Sequence, residues 1–184
     1  MSIRILSHQS QILVVDIQQK LAPHLHNVEH MLKGCVQVLS AAEIFNIPIS
    51  VAEQYPKGLG HSLEEIQPFI HEQVFEKTTF SCFGSEHLSK HISSQSISGR
   101  GTLIVIGCEA HVCVLQTVID AIDLGYRVVV VDDAVSSRSS HDKELARSRL
   151  CKAGAEYVSA EMLLFEWTQG KDAKQFKAIS SLIK

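Results

Sequence analysis

Thr102-Leu103-Ile104-Val105-Ile106-Gly107-Cys108-Glu109-Ala110-His111-Val112-Cys113-Val114 is the stretch that decides the fold. Its first part is an unbroken apolar run, as expected of a strand buried on both faces. Gly107 interrupts it, and residues 111–124 carry a helical pattern that Gly125 closes. A strand over 102–107 that passes directly into a helix is one half of a parallel strand–helix–strand unit. The same stretch puts Cys113 at the head of the helix, above the strand end. There the helix dipole and free backbone N–H groups favour thiolate and can hold a negative oxygen.

Working outward, the unit repeats. Residues 12–15 are apolar and end at Asp16, and Val28, Met31, Leu32, Cys35, Val36, Leu39 and Ala42 recur at helical spacing. Asn46 and Pro48 close that helix before a second strand over 49–52. Turn chemistry at 55–60 marks a loop, and a third strand over 73–76 ends near Lys77. A helix over 86–94 precedes the fourth strand. The fifth strand is placed at 127–131, a helix at 141–153, the sixth strand at 155–158, and a helical C-terminus follows. No repeat, low-complexity tract or linker divides the chain. The expectation is a single domain over 1–184: an α/β fold, three-layer α/β/α, with a mostly parallel six-stranded Rossmann-like sheet. Ligands of such sheets sit at the carboxyl ends of the strands, at the topological switch point.

Composition narrows the function. At 184 residues the chain can bury a core without staples. A net charge of −3 leaves no electrostatic footprint for nucleic acid or an anionic membrane. Five cysteines are an odd count without a small-domain framework, which argues against a disulfide scaffold. No apolar stretch approaches bilayer length, and the N-terminal residues 1–11 lack a signal-peptide core. The chain reads as cytoplasmic and reduced.

Asp16, Lys77 and Cys113 each follow a different strand, so a parallel sheet gathers them on one edge. A carboxylate beside a thiol can accept its proton, and a lysine beside both keeps the carboxylate ionised and favours thiolate. Each residue taken alone has a plainer reading. Asp16 could cap the next segment, Lys77 could be a solvated surface cation, and Cys113 an inert buried thiol. Only the joint position favours catalysis.

Further blocks accompany these residues in order: Leu13-Val14-Val15-Asp16-Ile17-Gln18, Glu53-Gln54-Tyr55-Pro56-Lys57-Gly58-Leu59-Gly60, Phe75-Glu76-Lys77-Thr78-Thr79-Phe80-Ser81, Tyr126-Arg127-Val128-Val129-Val130-Val131-Asp132-Asp133-Ala134 and Ser136-Ser137-Arg138. With them the chain resembles, over nearly its whole length, the isochorismatase-like cysteine hydrolases. Within these it is most similar to the isochorismatase domain-containing proteins. The resemblance implies a catalytic triad of Asp16, Lys77 and Cys113. It implies a cis peptide at Cys108–Glu109 that turns the Glu109 N–H inward, so that Glu109 and Cys113 supply an oxyanion hole from their backbones. The plainer reading of Glu109 is an exposed loop carboxylate. The resemblance also implies self-association as a homo-oligomer. The apolar segment 162–167 could serve that interface or pack on its own sheet, and packing is the preferred expectation.

Two departures shape the substrate. Nicotinamidases of this superfamily hold a metal through an Asp-x-His motif, which Ala52-Glu53-Gln54-Tyr55-Pro56 lacks, and His61 reads as a loop residue. No metal or organic cofactor is therefore expected. Isochorismate hydrolases proper cleave a vinyl ether without a cysteine nucleophile, so Cys113 speaks against that substrate. Gln18, Gln19, Tyr55, Phe80, Phe83 and His111 are candidate pocket residues by proximity, although Phe80 and Phe83 could simply pack and Gln18 could bond only backbone. The expected activity is hydrolysis of a C–N bond in a small uncharged molecule through a Cys113 thioester. Two rivals are a non-catalytic binding or scaffold protein that keeps the fold, and a thiol redox protein using Cys108 and Cys113.

Overall fold

Six parallel strands form one sheet in the computed structural model, which describes residues 3–71 and 74–184. The strands are β1 (Ser10–Val15), β2 (Ile49–Gln54), β3 (Val74–Lys77), β4 (Thr102–Cys108), β5 (Arg127–Ser136) and β6 (Glu156–Val158). The helices are α1 (Val28–Ile44), α2 (Pro56–Leu59), α3 (Glu86–Ile97), α4 (Leu115–Asp123), α5 (Ser140–Ala153), α6 (Ala160–Thr168) and α7 (Phe176–Leu182). The strand order is β3-β2-β1-β4-β5-β6, a doubly wound arrangement whose switch point lies between β1 and β4.

The apolar strands divide their side chains between two cores. Ile12, Val14, Ile104, Ile106, Val129 and Val131 pack on one face with Met31, Val38 and Leu39 of α1 and Leu163, Leu164 and Trp167 of α6. Leu13, Val15, Leu103, Val105, Val128 and Val130 pack on the other with Leu88 and Ile92 of α3, Val118 of α4 and Leu150 of α5. This alternation is the period of two of a strand, with both faces covered. The expected α/β/α layering follows.

Two glycines mark close backbone approaches. A Cβ on Gly34 would lie 2.4 Å from the Asp133 carbonyl oxygen, so α1 can sit against β5 only because that side chain is missing. Gly107 has φ +116°, and a Cβ there would lie 2.1 Å from the Val15 carbonyl oxygen. It lets β4 approach β1 closely at the end of their pairing, where Gly107 lies opposite Val15.

Several boundaries differ from the sequence expectation. β5 runs on to Ser136 through Asp132 and Asp133, because its register with β4 shifts between Val105 and Gly107 and then resumes at Val135 and Ser136. The helix expected from 111 is divided into a π-helical turn over Ala110–Val114 and α4 proper. β2 continues two residues further, to Gln54, and α3 three further, to Ile97. The expected start of the third strand at Gln73 lies outside the described residues. The segment 162–167 packs on its own sheet through the buried Leu163, Leu164 and Trp167, while Met162 and Phe165 remain 53% and 41% exposed. No helix among the described residues is long and apolar enough to cross a membrane.

Candidate active site

Asp16 follows β1 directly and sits in the left-handed region at φ +52°, which aspartate tolerates better than most residues. Its carbonyl accepts the Cys108 thiol at 3.0 Å, and its N–H donates to the Ala52 carbonyl at 3.2 Å. Lys77 ends β3, two strands away. With neighbouring strands about 4.8 Å apart, a side chain from that end must be long to cross β2 and meet Asp16. Lys77 is long enough: Nζ donates to Asp16 Oδ2 at 2.8 Å, and both side chains are fully buried.

The ammonium is surrounded by oxygen. Besides Asp16 it donates to Gln54 Oε1 at 2.8 Å and to the carbonyls of Thr79 and Phe80 at 3.3 and 3.1 Å. Gln54 is the register partner of Lys77 across β2–β3, which places its amide under the crossing side chain. Burial alone would lower the Lys77 pKa, but Asp16 and the nearby thiols of Cys82 and Cys113 outweigh it and hold it above the ordinary value. Burial pushes the Asp16 carboxyl up, only partly countered by Lys77. Asp16 Oδ1 has no partner in hydrogen-bonding geometry, although the Cys113 thiol lies close enough to stabilise the carboxylate. Such contacts are often loose before substrate arrives.

Cys113 sits in the π-helical turn and is 6% exposed. Its thiol is raised well above the ordinary cysteine range by burial first and Asp16 second, with Lys77 acting in the opposite sense. Desolvation therefore works against the lysine and the helix terminus, which favour thiolate.

The Cys108–Glu109 peptide is cis. Glu109 is no exposed loop carboxylate: its side chain is 7% exposed and is gripped by Arg138, whose Nη2 and Nε donate at 2.7 and 3.0 Å and whose backbone N–H adds a third bond at 3.0 Å. Burial would raise the Glu109 pKa, but these bonds outweigh it and hold the carboxyl below its ordinary value.

The candidate pocket residues divide. Gln18 is fully buried, and its amide is spent on backbone: Nε2 donates to the carbonyls of Gln54 and Gly60, and Oε1 accepts the Gln54 N–H at 2.7 Å. It holds the end of β2 and has no reach toward a substrate, which corrects its placement in the pocket. Tyr55 and Phe80 are about half exposed at the edge bearing Lys77. Phe83 packs against Tyr126 at 5.7 Å between ring centres. His111 Nδ1 lies 3.0 Å from Ser137 Oγ. A cavity of about 370 Å³ opens beside β3, lined by residues including Tyr55, Lys57, Glu76, Lys77, Thr79 and Ser85. Asp16 and Cys113 are absent from its lining.

Glu53 and His61 face one another instead of forming part of a ligand cage. Glu53 Oε1 accepts from the Ser62 N–H and hydroxyl at 2.6 and 2.7 Å, and Oε2 lies 3.1 Å from His61 Nδ1. Among the described residues no group of three or more His, Cys, Asp or Glu side chains is placed to hold a metal ion.

Sequence reading missed Gln54 and Arg138 as site residues. Both lie inside blocks it quoted, and the pairing of β2 with β3 was the available signal for Gln54.

The profile of the isochorismatase domain matches residues 10–162. The chain belongs to the isochorismatase family. Members of this family are generally hydrolases. The secreted isochorismatase effector Isc1 of Phytophthora sojae is 34% identical over 185 residues, covering 98% of this chain and 87% of that protein. Among solved structures, the MAR1 ribonuclease of Caenorhabditis elegans is 35% identical with a TM-score of 0.88, covering 98% of this chain and 92% of its own. The YcaC gene product of Escherichia coli, an octameric hydrolase of unknown specificity, shares the fold at 20% identity and a TM-score of 0.90, covering 99% of this chain and 91% of its own.

Proposed function

We propose that this member of the isochorismatase family is a cysteine hydrolase that cleaves a C–N bond of a small, uncharged, amide-type molecule. The observation that carries the reading is the buried Asp16–Lys77 pair, which occupies Oδ2 and leaves Oδ1 unpartnered beside the Cys113 thiol. Asp16 takes the thiol proton as Cys113 Sγ attacks the carbonyl carbon. The Glu109 and Cys113 N–H groups receive the oxyanion, and Asp16 returns the proton to the departing nitrogen. Water then hydrolyses the thioester and restores the thiol. Lys77, surrounded by four oxygen acceptors, acts as a fixed charge and not as a proton carrier. Tyr55, Phe80 and His111 remain the side chains offered to substrate.

The alternatives draw less support. A Cys108–Cys113 redox couple would have to withdraw the Cys108 thiol from the Asp16 carbonyl, and the Cys108 thiol is itself buried and raised well above its ordinary pKa. One relative is named a ribonuclease, but a net charge of −3 and a buried, fully engaged Lys77 suit a polyphosphate poorly. A scaffold role leaves the buried pair without a purpose that an apolar pair would not serve equally well. We also propose a homo-oligomer, supported by the exposed Met162 and Phe165, and a cytoplasmic setting, supported by five free thiols. Light scattering and cell fractionation test these two points.

The deciding experiment is limiting alkylation with iodoacetamide from pH 5 to 9, located by peptide mapping. A Cys151→Ser background removes the exposed thiol. Cys113 is expected to label ahead of Cys35, Cys82 and Cys108, with a pH profile that Asp16→Asn and Lys77→Ala both move. That result justifies screening an amide library. Labelling no faster than Cys35, or a profile indifferent to both changes, ends the nucleophile reading.

A further inference from the structure

The block that carries Lys77 ends on Ser81, a residue the mechanism above leaves without a task. Ser81 is buried, and its hydroxyl donates to Asp120 Oδ2 on α4 at 2.5 Å. One residue later the Cys82 N–H donates to Thr117 Oγ1 at 3.0 Å. Thr117 and Asp120 are three apart on α4 and share a face. The segment between Lys77 and Ser81 is knit to the ammonium: Lys77 Nζ binds the Thr79 and Phe80 carbonyls, and the Thr79 hydroxyl donates to the Ser81 carbonyl at 2.9 Å. Gly84 packs so closely on Thr79 that a Cβ would lie 2.6 Å from its hydroxyl oxygen. At the other end, α4 continues without a break from the turn that holds Cys113.

We infer that Asp120, acting through Ser81, is a positioning residue that sets the Lys77 ammonium against Cys113; this rests on Cys113 being the nucleophile. The contacts close a circuit. Asp16 is held to Lys77 by the ion pair and to β4 by the Cys108 thiol, while Asp120 ties the Lys77 segment to the helix that follows Cys113. A hydroxyl bond to an ionised acceptor is among the stronger neutral-to-charged contacts, and here it spans 39 residues of sequence. Without it the segment keeps only the Cys82–Thr117 bond to α4 among the hydrogen bonds described here.

The sign of the effect separates positioning from charge. Deleting a carboxylate near a thiol favours thiolate and speeds alkylation. Letting the lysine recede removes a stabilising cation and slows it. Asp120→Asn deletes the charge but keeps an oxygen acceptor for Ser81, whereas Asp120→Ala deletes both.

In the Cys151→Ser background, the rate of Cys113 alkylation by iodoacetamide is measured from pH 6 to 10 for the parent, Asp120→Ala, Asp120→Asn and Ser81→Ala. Hydrogen exchange of segments 78–84 and 110–118 is followed on the same proteins. Asp120→Ala and Ser81→Ala are expected to shift the profile upward by about one pH unit, about tenfold in rate at fixed pH, with Asp120→Asn within about twofold of the parent. Asp120→Ala matching or exceeding the parent rate, or Asp120→Asn as slow as the alanine variant, overturns the inference. If the parent's Cys113 proves unreactive or indifferent to Asp16→Asn, the nucleophile reading has failed instead. The exchange data then decide the tie: faster exchange of both segments in Asp120→Ala and Ser81→Ala but not in Asp120→Asn sustains it, and unchanged exchange refutes it.

Discussion

Lys77→Met tests the buried pair most directly. Nζ and Oδ2 are 2.8 Å apart with both side chains fully buried. At an effective dielectric of about 20 the Coulomb attraction at that distance is roughly 6 kcal/mol, most of which offsets desolvation. Methionine fills the volume of the lysine stem, so little cavity cost arises. What remains is an uncompensated buried carboxyl, worth about 3–5 kcal/mol at pH 7, or a fall in Tm of about 6–20 °C for a chain of this size. The pH dependence carries the sharper signature. Burial already raises the Asp16 pKa above 3.8, and without Lys77 nothing large opposes it. The folded variant then holds a proton that the unfolded chain releases above about pH 4. Its stability falls as pH rises, by about 1.4 kcal/mol per unit for as long as Asp16 stays protonated in the folded state. The gap to wild type should therefore narrow between pH 7 and pH 5, by up to about 2–3 kcal/mol and by less to the extent that wild-type Asp16, itself raised, takes up a proton in the same window. Urea unfolding at pH 5, 6, 7 and 8 measures it. A gap below about 1 kcal/mol at pH 7, or one equal at pH 5 and pH 7, would refute a buried ion pair.

Two further outcomes follow from single contacts. Gly107→Ala forces a side chain into φ +116° and onto the Val15 carbonyl, so a loss above about 4 kcal/mol or failure to accumulate as soluble protein is expected, and a near-wild-type thermal melt would contradict the close approach of β4 to β1. Arg138→Ala leaves Glu109 buried with one backbone donor, and because the guanidinium is 62% exposed the cost is discounted to about 1–2 kcal/mol at pH 7. Glu109 is lowered below 4.5 in the folded protein, so its stabilisation is present above that value and is lost as pH falls through the folded pKa. Melts from pH 3 to pH 7 should show the gap to wild type shrinking as pH falls below about 4.5, and a gap that stays constant over that range would contradict the pairing.

The sheet was legible because its central strands carry unbroken apolar runs at 12–15 and 103–106, a pattern that survives without knowledge of neighbours. β5 was misread at its end for the converse reason. Asp132 and Asp133 break the apolar run, yet the strand continues because its later partners, Gly107 and Cys108, resume pairing after the register shift. The proximity of Asp16, Lys77 and Cys113 was legible because the first two lie at strand ends and the third in the turn after β4, positions that topology brings to one edge of the sheet. Gln54 could not be found by pattern, since its task arises from lying opposite Lys77 in register. Gln18 was misplaced because nearness in sequence to Asp16 says nothing of which way an amide turns. The links between Ser81 and Asp120 and between Glu109 and Arg138 join residues 39 and 29 apart, and neither leaves a periodic trace.

The burial of the thiol bears on the chemistry. A cation and a helix terminus near a cysteine argue for thiolate only when solvent still reaches the sulfur. Here Asp16, Lys77 and Cys113 are removed from water together, and burial raises both acids. The quantity that matters is then the proton count of the group, not either acid alone. With the proton on sulfur the trio is carboxylate, ammonium and thiol; with the proton on Asp16 it is carboxylic acid, ammonium and thiolate. Both arrangements are neutral overall. Transfer from Cys113 to Asp16 therefore adds no net buried charge, whereas loss of the same proton to solvent would. Burial that disfavours a free thiolate thus leaves internal transfer comparatively unopposed, and Lys77 is the group that makes both arrangements neutral.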